Sequence, residues 1–269
     1  EALGMKTHPI SIEEARANYE FAARYCEANK SDCSIWRGML MASDHMASAM
    51  ESKVKIPLNH LFVKPDLSFY NRENSLYPLS QISTDSPKKY TIVTAPTGAG
   101  KTDFLLRRCR GRVFYVLPFQ ASINAMYDRI KKDLSDTDAQ VSLLHSASNL
   151  KVKDGTLEES IMQRFVGSSV KVMTPHQMAS IVFGIKGYES MAIDLKGCDV
   201  ILDEIHTYSD VIQSIVLHII DILMALGCRI HIGTATMPST LYNKIIEIMG
   251  GKEKVYEVNL ADSTLVSFN

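Results

Sequence analysis

The eight residues Ala95-Pro96-Thr97-Gly98-Ala99-Gly100-Lys101-Thr102 constrain this chain more than any other stretch. Before them stands Tyr90-Thr91-Ile92-Val93-Thr94, rich in β-branched residues, which reads as a buried strand; after them Asp103-Phe104-Leu105-Leu106 opens a helix. Strand, glycine loop and helix in that order is the context in which such a loop cradles phosphate. The loop's backbone N–H groups and the helix N-terminus offer positive partial charge to a polyanion. In that geometry Thr97, Gly98, Ala99 and Gly100 form the cradle for ATP. Lys101 reaches the β- and γ-phosphates and the Thr102 hydroxyl holds Mg²⁺. The spacing G-x-x-x-x-G-K-[ST] is met except at its first position, where Ala95 replaces glycine.

Beyond the loop, strand and helix signals alternate. Strands are expected at 113–117, 141–145, 170–173, 199–202, 229–233 and 255–258, with helices at 120–132, 157–166, 176–183, 210–226 and 239–249. Such alternation implies an α/β domain over residues 89–269, its mainly parallel sheet covered by helices on both faces. The segment before it, 56–88, loses periodicity and reads as an irregular linker lying over the next domain. Within that linker Gln81 could read an adenine edge through its amide. Residues 1–55 read as a small helical segment, with Ser11 and Glu14 forming a capping box and a break at 29–32.

Composition narrows the field. With 46% hydrophobic and 22% charged residues, the 269-residue chain is an ordinary globular one. A net charge of −1 leaves no global basic footprint, so nucleic acid would have to be met by a local face. Five cysteines without a C-x-x-C suggest reduced thiols in a cytoplasmic protein. The most apolar run, 211–226, is interrupted by Gln213, Ser214, His218 and Asp221 along one helical stripe, so no membrane span is expected.

A second chemical element is Val200-Ile201-Leu202-Asp203-Glu204-Ile205-His206, an apolar strand ending in paired carboxylates. Asp203 is placed to hold Mg²⁺ and Glu204 to polarise the water that attacks the γ-phosphate. Thr234-Ala235-Thr236 follows the next strand, so His206, Thr234 and Thr236 are candidates for coupling nucleotide state to conformation.

In this order the loop, Asp203-Glu204-Ile205-His206 and Thr234-Ala235-Thr236 resemble motifs I, II and III of DEAH-type superfamily 2 helicases. Helicase loops of this type often carry alanine where Ala95 stands. The resemblance implies a RecA-like domain and assigns the nucleic-acid motifs to Leu117-Pro118-Phe119-Gln120-Ala121-Ser122 and Met173-Thr174-Pro175-His176. Pro118, Gln120, Ser122, Thr174 and Pro175 would then lie along one strand of nucleic acid, with backbone N–H groups and hydroxyls meeting phosphates.

The wording of Asn124-Ala125-Met126-Tyr127-Asp128-Arg129, Leu144-His145-Ser146 and Thr236-Met237-Pro238-Ser239-Thr240 is similar to a narrower family, the helicase–nucleases of type I CRISPR systems. That resemblance implies single-stranded DNA and a CRISPR surveillance complex as partners, and degradation of foreign DNA as the task. Asp44-His45-Met46-Ala47-Ser48 matches the D-x-x-x-S pattern near the end of the family's HD nuclease domain. Asp44 would there be a ligand of a transition metal whose other ligands lie outside this chain. The expectation is therefore a fragment: the tail of a nuclease domain, a linker and the first RecA-like domain, inactive or slow by itself. Two other readings stay open on residues alone. One is a generic DEAH-type RNA or DNA helicase with an unrelated helical accessory, the other a nucleotide-gated binding module without turnover.

Overall fold

The computed structural model describes residues 9–28, 35–49, 61–144, 166–184 and 188–260. Two compact units emerge, Glu1–Ser34 and Ile35–Asn269. The first contains α1 (Ile12–Ala28). Its start is capped as the sequence requires: the Glu14 N–H donates to Ser11 Oγ at 3.1 Å, and the Ser11 N–H to the Glu14 carboxylate at 2.9 Å.

The second unit runs α2 (Ile35–Ala49), β1 (Tyr90–Thr94), α3 (Lys101–Arg108), β2 (Val113–Val116), α4 (Gln120–Asp133), β3 (Val141–Leu143), β4 (Val170–Met173), α5 (Pro175–Val182), α6 (Tyr188–Leu195), β5 (Asp199–Asp203), α7 (Asp210–Ala225), β6 (Arg229–Thr234), α8 (Ser239–Ile248) and β7 (Val255–Asn259). Strands lie in the order β3-β4-β2-β5-β6-β1-β7, and every pairing is parallel. Alternate strand residues serve opposite layers. Ile92, Phe114, Val116, Val200, Leu202, Ile230 and Ile232 pack with α5 to α8; Val93, Val113, Tyr115, Val170, Val172 and Ile201 pack with α3 and α4. Each such side chain, fully buried, contributes about 1.5–3 kcal/mol, so both faces hold the sheet.

Two details depart from the sequence reading. The compact boundary falls after Ser34, not at 55, because α2 packs on α6 within the larger unit. The approach is close: a Cβ added at Gly38 would stand 2.6 Å from Ile193 Cδ1, and Arg37 pairs with the buried Glu189 at 3.2 Å. Helix α6 is absent from the expected helices because it is buried on nearly every side, Glu189, Ser190 and Asp194 as well as Met191, Ala192 and Leu195, so no apolar stripe opposite a polar face marks it. Asp194, on that helix, accepts from Arg112 Nη1 at 2.7 Å, from the Gly167 N–H at 3.0 Å and from Lys171. Burial would raise the Asp194 carboxyl, but Lys171 and Arg112 overcome it and hold the group below the usual carboxylate range. The helix expected at 157–166 falls almost entirely outside the described residues.

The described part of the linker is irregular, as expected, but it is also part of the core. Its short 3₁₀ turns, Ser68–Tyr70 and Pro78–Gln81, bury Tyr70 and Leu79 completely beside α3. Arginines at the far end of α3 fasten it. Arg107 donates to the carbonyls of Leu79 at 2.6 Å and Ser80 at 3.1 Å, and Arg108 to those of Thr84 at 2.6 Å and Lys88 at 2.7 Å. These guanidiniums replace the backbone pairing that an irregular segment lacks.

Candidate active site

In a parallel sheet all strands deliver their C-terminal ends to one edge, where α/β proteins bind ligands. Here β1 ends at the glycine loop, β5 at Asp203 and β6 at Thr234. A cavity of about 310 Å³ opens between them, lined by Arg72, Tyr77, Thr97, Gly98, Gly100, Lys101, Thr102, Asp103, Arg129, Asp203 and Glu204. Gly98 and Gly100 take φ of 87° and 89°, the left-handed region glycine enters freely, and Gly100 thereby caps α3.

Inside the cavity, Lys101 is buried and its Nζ donates to the Ala95 carbonyl at 2.9 Å, with Glu204 Oε1 at 3.6 Å. Asp203 is buried too. Its Oδ2 accepts from the Tyr115 hydroxyl at 2.7 Å and its Oδ1 from the Glu204 N–H at 3.0 Å. Burial, assisted by the Glu204 charge, pushes the Asp203 carboxyl up to about 6, against the pull of Tyr115 and Lys101. Tyr115 is raised well above the phenol range by burial and by Asp203, so it stays a donor. Glu204 sits at φ 56°, ψ 37°, a conformation costing a non-glycine residue about 1–2 kcal/mol. The Gly233 carbonyl, 2.8 Å from the Glu204 N–H, holds it there, the kind of over-determined strain found at functional sites.

The donor set suits a hard divalent cation: a hydroxyl from Thr102 and carboxylate oxygen from Asp203, both facing one cavity. Mg²⁺ held by these two residues would neutralise charge on nucleotide phosphates. Among the described side chains, the group of three metal-type ligands is Cys109, Asp199 and His231, not one containing Asp44. That cluster lies at the opposite edge of the sheet and is already satisfied. Asp199 accepts from the Arg110 and Gly111 N–H groups at 2.9 and 2.6 Å, from Arg229 Nε at 3.1 Å and from His231 Nε2 at 2.8 Å. Asp44 is exposed on α2.

Most residues selected from the sequence converge. Thr97, Gly98, Gly100, Lys101, Thr102, Asp203 and Glu204 share the cavity. Ala99 is buried beneath the loop, where its carbonyl accepts the Leu79 N–H at 3.1 Å, and Gln81 is exposed on the 3₁₀ turn; neither lines the cavity. His206 Nδ1 meets Thr234 Oγ1 at 2.8 Å, and that hydroxyl donates to the Thr236 carbonyl at 2.6 Å, so the three coupling candidates are linked. Pro118, Gln120 and Ser122 follow β2, and Thr174 and Pro175 follow its parallel neighbour β4, so the two segments share the same sheet edge. Thr174 caps α5 in a box with Gln177, and Pro175 is buried. Sequence reasoning missed Tyr77, Arg72, Arg129 and Tyr115. The two arginines both bind Asp103, Arg72 at 3.0 Å, and no local pattern predicts that meeting.

The order of these segments along the chain can be compared with known proteins. The profile of the DEAD/DEAH box helicases matches residues 79–244, from the 3₁₀ turn before the loop into α8. The chain belongs to the DEAD/DEAH box helicase family. Among curated relatives of this helicase, the CRISPR-associated nuclease/helicase Cas3 of Methanothermobacter thermautotrophicus is 27% identical over 234 residues, covering 81% of this chain and 28% of that protein. The putative Cas3 of Methanocaldococcus jannaschii is 26% identical over 199 residues, covering 66% of this chain and 27% of that one. The crystal structure of T. fusca Cas3 with ADP superimposes with a TM-score of 0.59 at 18% identity, covering 75% of this chain and 26% of that chain, a likeness of fold. The helicase thus spans little more than a quarter of the length of these relatives, and the resemblance to CRISPR helicase–nucleases read from its motifs is matched by them. Among the described residues no helix is long and apolar enough to cross a membrane.

Proposed function

We propose that this chain is the first motor domain of a CRISPR-associated helicase–nuclease, hydrolysing ATP to move along single-stranded DNA during degradation of foreign DNA in the cytoplasm. The observation that carries the reading is the convergence of Lys101, Thr102, Asp203 and Glu204 on one cavity at the C-terminal sheet edge. Its partners would be the DNA strand and a CRISPR surveillance complex, as the resemblance of its motifs implies; the similar proteins are named CRISPR-associated nuclease/helicases.

In this reading Lys101 leaves the Ala95 carbonyl for the γ-phosphate, a point charge where negative charge develops. Glu204, free of that ammonium, orients the attacking water. Its strained backbone sits one hydrogen bond from Gly233, and His206 beside it contacts Thr234. Loss of the γ-phosphate would therefore be felt at the end of β6. Pro118, Gln120, Ser122, Thr174 and Pro175 would flank the strand, contacting its backbone without reading sequence. Asp44 would contribute to a nuclease metal only together with ligands from outside this chain.

The test is ATP hydrolysis by the full-length protein carrying this segment, with and without single-stranded DNA. Lys101→Ala should abolish the DNA-stimulated rate, and wild-type turnover in that variant would overturn the assignment. Stimulation by RNA but not DNA would favour the generic helicase. Nucleotide-dependent binding of DNA without turnover in the wild type would favour the gated module.

A further inference from the structure

We infer that Tyr115 is a positioning residue for the magnesium site, fixing the carboxylate of Asp203 through its hydroxyl. The inference rests on the reading of Asp203 as a cation ligand. Strand β2 is otherwise apolar, Val113, Phe114 and Val116, and wholly buried. A tyrosine in its middle brings a hydroxyl into a region without water, which is tolerable only when the O–H finds a partner. Register decides the partner. Tyr115 lies opposite Ile201 on β5, and Asp203 is two residues further along on the same face. From there the Tyr115 O–H donates to Asp203 Oδ2 at 2.7 Å.

The second oxygen is committed as well, since Oδ1 accepts the Glu204 N–H at 3.0 Å. One donor on each oxygen fixes the plane of the carboxylate, and the remaining lone pairs are left for a ligand in the cavity. Thr102, the other oxygen donor of the set, lines the same cavity as Asp203. Tyr115 thus stands behind the carboxylate that would hold the cation and touches neither nucleotide nor metal. Partners of this kind typically alter metal affinity by about 10–100-fold when removed.

Tyr115→Phe deletes one oxygen and keeps the ring volume, so the fold should survive, which a melting curve verifies. The readout is ADP binding by calorimetry, first in EDTA and then across a Mg²⁺ titration. Affinity in EDTA should stay within about twofold of wild type, while the Mg²⁺ concentration giving half of the metal-linked gain rises about tenfold or more. In an Asp203→Asn background the gain should already be lost, and adding Tyr115→Phe should change nothing further. A Mg²⁺ midpoint within about twofold of wild type, or an equal effect of Tyr115→Phe with and without Asp203, would overturn the inference alone. Wild-type binding of ADP with no Mg²⁺-linked gain would overturn both the inference and the functional reading beneath it.

Discussion

Gly233 is the position where a single methyl group should disable the site from the neighbouring strand. On β6 it pairs with Asp203 of β5, and a Cβ added there would stand 2.7 Å from Asp203 Oδ1 and 2.7 Å from Leu105 Cδ1. Neither neighbour can yield cheaply. Leu105 is fully buried on α3, and the Asp203 carboxylate is held by Tyr115 and by the Glu204 N–H. Overpacking of this kind costs about 1–3 kcal/mol, which for a unit of this size lowers Tm by roughly 2–12 °C. Displacing Asp203 should also weaken the Mg²⁺-linked part of ADP binding by about tenfold or more. A control separates the two effects. At Gly227, φ is +73° and an added Cβ meets nothing within 4 Å. Gly227→Ala should therefore destabilise by about 1–2 kcal/mol through its backbone alone and leave the Mg²⁺ dependence intact. Differential scanning fluorimetry and calorimetric titration on the three proteins decide it. Wild-type Tm and wild-type Mg²⁺ dependence in Gly233→Ala would refute the argument that this methyl has no room.

Asp194→Ala should cost about 3–5 kcal/mol in a urea titration, because it strands the buried Lys171 and Arg112 without their carboxylate. Burial lowers the His231 imidazole below its ordinary 6.5, despite the Asp199 hydrogen bond. Below that pH the unfolded chain takes up a proton that the folded one refuses, so stability should fall as pH drops from about 6.5 through the folded value. His231→Gln should flatten that slope in melting curves taken across pH, and an unchanged slope would show that another group carries it. The 269-residue chain alone should hydrolyse ATP slowly even with single-stranded DNA. Its cavity arginines, Arg72 and Arg129, are engaged by Asp103, and an unengaged arginine at the transition state contributes on the order of a thousandfold. Robust turnover in a phosphate-release assay would contradict this. Titration of the chain with Mn²⁺ should show no tight site that disappears in Asp44→Ala, since among the described residues no group of metal-type ligands includes that exposed carboxylate and a single carboxylate is a poor ligand set.

The sequence alone determined the elements whose signal is local. Glycines flanking Lys101, a β-branched run before them and carboxylates after an apolar strand point to a phosphate loop and to candidate cation ligands, because backbone torsion and short-range charge dictate those residue types. Strand and helix alternation then required a parallel sheet, since such strands can be joined only by crossovers. Tertiary structure decided everything that depends on register and on inward-facing polarity. Helix α6 escaped the pattern because Glu189 and Asp194 are buried and paired rather than solvated. The linker joined the core because Arg107 and Arg108 satisfy its carbonyls from across the layer. Gln81, chosen for its position in the chain, faces outward, while Tyr77, four residues earlier, lines the cavity. Tyr115 and Gly233 reach Asp203 only through the β2–β5 and β5–β6 pairings. No local pattern carries such a contact, because hydrogen-bonded register between strands distant in sequence is fixed by the packing of the whole sheet.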